Sequence, residues 1–131
     1  MPKTKTRKKN AKTKARIKAK IRASTRRAIS AAIHCRRDMT GVTRRVTALC
    51  DAELLGRKLR SGDCVLDLKK YNEFYDGELV NEEKAAALAA DSDNLNVVGA
   101  KALAAARLSL EISEANVKKF GRVPHAQVYK I

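Results

Sequence analysis

The first 37 residues carry 15 lysines and arginines and no aspartate or glutamate, and this run fixes where a folded core can begin. Ordering one residue's backbone costs about 1–2 kcal/mol, and a segment this polar has little apolar surface to offset it. The remainder balances: residues 38–131 hold 14 basic and 14 acidic side chains. The net charge of +15 therefore belongs to roughly the first quarter of the chain. The expected organisation is a basic tail over residues 1–29 and a compact domain over residues 30–131.

Within the tail, Lys3, Lys5, Arg7, Lys8 and Lys9 are followed by cations at every even position: Lys12, Lys14, Arg16, Lys18, Lys20 and Arg22. Arg26 and Arg27 follow in the tail, and Arg36 and Arg37, at the end of the first predicted strand, complete the set of cations expected to contact RNA. In an extended chain this period of two places the cations on one edge, about 6.6 Å apart. In a helix the same period spreads them around the cylinder and sets like charges at i,i+4, although lysine, arginine and alanine favour helix. Both conformations stay open for the bound state. Acid-free runs of this density attract polyanions. The tail has no bulky apolar face for a membrane surface, so nucleic acid is the expected partner. Nothing in the tail reads bases.

Composition removes other classes. No apolar stretch approaches the roughly 18 residues of a membrane helix. No apolar region closely follows the basic start, so a secretory leader is not expected. Residues 1–20 hold eight lysines, two arginines and no serine, unlike an arginine- and serine-rich transit peptide. Cys35, Cys50 and Cys64 form no Cys-x-x-Cys pair, and only His34 and His125 are available as further ligands. Neither a metal nor a disulfide framework is expected; the thiols read as reduced and buried or half-buried, in a cytoplasmic setting. There is no tryptophan and there are only five aromatic residues, which limits stacking on nucleobases.

Residues 30–131 predict an α+β fold: a small single domain of short antiparallel strands with two to three helices. Ile29–Arg37 and Val42–Leu49 read as a hairpin around the turn Asp38-Met39-Thr40-Gly41. Asp51 is placed to cap a short helix over Ala52–Leu55. A turn at Ser61-Gly62-Asp63 precedes a strand at Cys64–Leu68, and Tyr71–Gly77 is an aromatic-bearing loop. Asn81 caps a helix to about Ala90. A second helix is expected over Leu95–Leu108, where Gly99 costs about 1 kcal/mol relative to alanine and points to a close-approaching backbone. Asn116–Phe120 and His125–Ile131 read as closing strands.

Three segments carry a resemblance. Cys50-Asp51-Ala52-Glu53-Leu54-Leu55-Gly56 with Gly62-Asp63 forms the first. Phe74-Tyr75-Asp76-Gly77-Glu78-Leu79-Val80 with Asn96-Val97-Val98-Gly99 forms the second, and Gly121-Arg122-Val123-Pro124-His125-Ala126-Gln127 the third. Over about residues 31–131 the chain resembles the archaeal family known as domain of unknown function 424. The long basic tail departs from the family pattern. The resemblance implies an α+β fold and an archaeal setting, and no activity.

His125, Gln127 and Tyr129 share one face of the last predicted strand and form the candidate contact face of the domain. That face suits contact with a phosphate, a base edge or a protein partner, and His125 itself reads either as an acid–base group or as a ring making a structural hydrogen bond. Asp51 with Glu53, and Glu78 with Glu82 and Glu83, read as helix-capping and solvated carboxylates rather than as catalytic or metal pairs. No phosphate-binding glycine loop or nucleophile elbow appears, so neither an enzyme nor a cofactor or small-molecule substrate is expected. The expected function is that of an archaeal ribosomal or ribosome-associated protein. It would be ribosome-bound through tail contacts to ribosomal RNA, beside neighbouring ribosomal proteins. The alternatives are a mobile RNA-binding factor of ribosome assembly or translation, an RNA-directed enzyme, and a chromatin-type DNA binder.

Overall fold

The computed structural model describes residues 27–129. The tail cations from Lys3 to Arg26, and the tail's extended or helical conformation, lie outside the described residues.

The hairpin forms as expected, from β1 (Ile29–Arg37) and β2 (Thr43–Asp51). Asp38 holds its turn, since its Oδ1 accepts from the backbone N–H groups of Thr40 and Val42 at 2.9 and 3.0 Å. After a 3-10 turn at Ala52–Leu54 come β3 (Lys58–Ser61) and β4 (Cys64–Asp67), a separate two-stranded unit. Next follow the one-turn helix α1 (Asn72–Tyr75), β5 (Glu78–Val80) and α2 (Glu82–Ala90). Asn81 caps α2 as expected, accepting from the Lys84 N–H at 2.8 Å. The chain closes with β6 (Asn94–Val98), α3 (Ala100–Arg107), a 3-10 turn at Glu114–Asn116, β7 (Val117–Phe120) and β8 (Val123–Tyr129).

Six strands form one sheet in the order β5-β1-β2-β6-β8-β7, antiparallel except for the parallel pair β2–β6. The fold is α+β, as expected. Its first face is buried by the alanine-rich α2 and α3. Ala31, Leu49, Leu95, Val97 and Ala126 meet Ala85, Ala89, Ala102 and Ala106, whose short side chains let the helices sit close to the sheet. The opposite face is covered at one end only. There Ala32, Ala48, Cys50 and Val98 pack under Leu54, Leu68 and Tyr75.

Three expectations change. The single helix over Leu95–Leu108 is a strand followed by a helix. Leu95, Val97 and Val98 lie in a central strand, and the change of direction falls on Gly99 at φ 110° and ψ 152°. An apolar strand running into an alanine-rich helix reads as one continuous apolar segment, which hides the break. Gly99 is thus not a helix-interior glycine, and what approaches it is a side chain rather than a backbone. Asp51 makes no capping bond to the residues after it. Its Oδ1 accepts instead from the Ala102 N–H at 2.7 Å and its Oδ2 from the Lys101 N–H at 3.3 Å, so it caps α3, fifty residues away. Finally, Cys50 is buried as expected, whereas Cys35 and Cys64 are exposed.

Candidate functional site

Strand parity sorts the residues on the half-open face. Register places Ser30, Cys50, Val98, His125 and Lys118 in one row across it, and Ala32, Ala48, Asn96 and Gln127 in the next. His34, Val46, Asn94 and Tyr129 form a third row, and Arg36 and Arg44 lie beyond. The hairpin β3–β4 and α1 roof only part of this surface. Between roof and sheet lies a cavity of about 360 Å³.

The roof is tied down at two points. The Ser30 hydroxyl donates to the Tyr75 carbonyl at 2.9 Å and accepts from the Gly77 N–H at 2.8 Å. Gly77 must pass so close to β1 that an added Cβ would lie 2.1 Å from the Ala31 carbonyl oxygen. His34 Nε2 lies 2.9 Å from the Phe74 carbonyl oxygen, and the two rings stack at 4.9 Å. These contacts bring Tyr71, Phe74 and Tyr75 to the cavity wall, opposite Asn96, His125 and Gln127, with Leu66 contributed by β4. Three of the chain's five aromatic residues therefore meet at one place.

The cavity lining carries no formal charge at neutral pH. Burial and the nearby Cys50 push the Tyr75 hydroxyl up to about 12, and burial with the neighbouring Asp51 carboxylate pushes the Cys50 thiol up to about 12. Burial and the Lys118 ammonium hold the His125 imidazole below its ordinary value. The His125 ring packs edge-on against Phe120 at 5.9 Å and forms no hydrogen bond among the described residues. The structural hydrogen bond read from sequence is absent among the described residues. Gln127 Nε2 donates to Asn96 Oδ1 at 2.7 Å. This leaves the Gln127 carbonyl and the Asn96 amide N–H groups without a partner among the described residues. At the rim, the Lys70 ammonium lies 5.5 Å from the centroid of the half-exposed Tyr71 ring.

Of the candidate contact face, His125 and Gln127 line the cavity, while Tyr129 stands apart at the open end, 62% exposed. Arg27 is exposed at the root of β1, where the Ala28 carbonyl accepts from the Ala52 N–H at 2.9 Å. Arg36 and Arg37 are exposed at the far end, about 26 Å along the strand. Arg44 and Arg45 beside them are neutralised by Asp38 and Asp91. The domain cations do not gather into one patch. Sequence reading missed Asn96, because it lay in a supposed helix, and left Tyr71, Phe74 and Tyr75 in a loop without a partner surface. Only the position of β6 beside β8 joins these residues.

A second groove, of about 500 Å³, runs between α3 and β7–β8. Arg107 in it is paired with Glu114 at 2.8 Å, leaving Lys119 and Arg122 without an ion pair among the described residues. No group of histidines, cysteines or carboxylates that could hold a metal ion occurs among the described residues. No described helix is long and apolar enough to cross a membrane. Asp51 and Glu53 diverge, the first to the start of α3 and the second to Lys101 at 3.5 Å.

The profile of a family described as a protein of unknown function (DUF424) matches residues 40–131. No curated protein matches the chain. Among solved structures, the crystal structure of an uncharacterized conserved protein from Methanopyrus kandleri is similar. It is 25% identical, with a TM-score of 0.62 over 77% of this chain and 90% of that one. Neither description names an activity.

Proposed function

The chain belongs to the family described as a protein of unknown function (DUF424), a description that carries no activity, and from its distribution of charge we propose that it is an archaeal ribosomal or ribosome-associated protein that binds ribosomal RNA through its basic tail. It acts as a binding protein, not as an enzyme, and its partners are ribosomal RNA and neighbouring ribosomal proteins. The segregation of charge carries this reading. Residues 1–26 hold 12 cations and no acid, whereas residues 27–129 hold 16 basic and 14 acidic side chains. Backbone phosphates are the polyanion such a segment grips without reading sequence. A nearly neutral domain adds little electrostatic affinity of its own.

Cosedimentation with ribosomes in moderate salt tests the proposal, comparing the full chain with one starting at Arg27. That cut leaves β1 and the Ala28–Ala52 bond intact. The full chain is expected at one copy per ribosome, and the shortened chain is expected to be lost. Equal recovery of both would sink the tail's role. Recovery of the full chain well below one copy per ribosome favours a mobile assembly or translation factor.

A further inference from the structure

We propose that the cavity between α1 and the sheet takes a single unpaired RNA base, seated against Tyr71, with its polar edge on the Asn96–Gln127 amide pair and its flanking phosphates toward Lys70 and Lys118. This rests on the RNA-binding reading above and adds to it a place where the domain itself recognises a nucleotide.

The ligand class follows from the lining. At about 360 Å³ the cavity lies at the small end of ligand sites, suited to one ring system. Its wall is aromatic and apolar on one side, with Leu66, Tyr71, Phe74 and Tyr75, and polar on the other, with Asn96, His125 and Gln127. No cation lines it, so a phosphate group has no counter-charge inside. A purely apolar chain would strip water from three polar side chains and return no hydrogen bond. A flat ring with donors and acceptors along its edge satisfies both walls. The amide pair leaves an acceptor on Gln127 and donors on Asn96, the combination with which amides read base edges. Single-stranded RNA is recognised in this way, by stacking and by edge hydrogen bonds together.

The rim supplies the charge that the interior lacks. The Lys70 ammonium lies over Tyr71, and Lys118, the cross-strand partner of His125, has its ammonium 3.2 Å from Cys64 Sγ and 5.3 Å from the Phe120 ring centroid, carrying the positive charge nearest that end of the cavity. The tail root at Ile29 enters β1 beside Ser30, at the same end of the sheet as His125. Three strand spacings separate β1 from β8, about 14 Å. One strand of RNA held by the tail can thus reach the cavity.

The test uses the full chain and the variants Tyr71→Ala and Gln127→Ala, both at accessible positions, with circular dichroism confirming that they fold. The probes are an unstructured ten-nucleotide RNA carrying a central 2-aminopurine, its duplex, and the free 2-aminopurine ribonucleotide. Residues 1–26 contain no aromatic side chain, so quenching by stacking reports the domain and not the tail, and its loss in Tyr71→Ala separates the cavity from the exposed Tyr129. The single strand should be quenched and the duplex not. Each variant should lose the quenching and about tenfold in affinity, the size of one stacked base, with the salt dependence unchanged. Undiminished quenching in both variants would overturn the proposal, as would no quenching at all, the result expected of a protein partner. Saturable binding of the free nucleotide as tightly as the RNA would overturn RNA as the source. Failure of the tail reading looks different: a flat salt dependence in all three proteins.

Discussion

Asp51 and Gly99 act as one device, and their coupling is measurable. An added Cβ at Gly99 would meet Asp51 Cγ at 2.2 Å, Oδ1 at 2.4 Å and Oδ2 at 2.6 Å, so the carboxylate must leave. The backbone at φ 110° and ψ 152° lies in a region only glycine enters freely, which costs an alanine about 1–3 kcal/mol. Asp51→Ala removes one good bond to the Ala102 N–H and one long bond to the Lys101 N–H, and leaves the buried Ala102 donor unpaired. Charged hydrogen bonds contribute about 1.5–3 kcal/mol each, and loss of a cap about 1 kcal/mol, so a loss of about 2–4 kcal/mol is expected. Gly99→Ala incurs the backbone strain and evicts the same carboxylate, about 3–7 kcal/mol together. The double variant has no carboxylate left to evict and should be no less stable than Gly99→Ala alone. The shortfall from additivity is then about 2–4 kcal/mol. Urea unfolding followed by circular dichroism measures all four corners of the cycle. Additivity within about 0.5 kcal/mol would refute the shared-cap account.

Four further outcomes follow. If about ten of the 12 tail cations meet phosphates, the logarithm of the RNA affinity should fall with a salt slope of about −7 to −9, largely lost in the chain starting at Arg27. His125 prefers its neutral form when folded, so the stability it contributes is present above about 6.5 and falls as pH drops through the window below; Lys118→Ala should raise its titration point by NMR. Asp38, held down to about 2 chiefly by the Thr40 hydroxyl, contributes hairpin stability present above 3.8 and lost as pH falls toward about 2, which acid unfolding of Asp38→Asn should show as a missing phase. A thiol reagent should label Cys35 and Cys64 in the folded protein and Cys50 only after unfolding, since Cys50 is buried and raised to about 12.

The sequence readily exposes features whose cause is local. The hairpin is legible because Asp38 and Gly41 mark its turn between β-branched runs, and α2 because Asn81 precedes two glutamates and an alanine run. Strand parity placed His125 and Gln127 together and Ala126 on the other side, as found. What was hidden depends on partners distant in the chain. The family-like segments around Asp51 and Gly99 are separate in sequence, and neither discloses that one caps the helix the other begins. β5 is three residues long and exists because Ile29 and Ala31 offer it an edge. A count of five aromatics suggested little capacity for stacking; where three of them meet is decided by Ser30, His34 and Gly77 holding α1 against β1.

The division of labour proposed for tail and cavity is also a matter of magnitude. One base on an aromatic ring is worth about 1–3 kcal/mol, while a 1 mM dissociation constant already requires about 4 kcal/mol. A cavity for a single nucleotide is therefore too weak to recruit RNA alone. Once the tail holds the strand, the base presents itself at an effective concentration of order millimolar, and the same small energy multiplies the affinity of the whole. A phosphate grip of the kind proposed for the tail is insensitive to sequence, so by itself it would leave the domain free to sit anywhere along an RNA surface. An uncharged cavity with a fixed pair of amides has the opposite character: little affinity, but a preference for an unpaired base in one position and orientation. On this proposal, confining the cations to the tail serves that preference. A strongly basic domain would bind any duplex placed against it and lose the distinction that the cavity supplies.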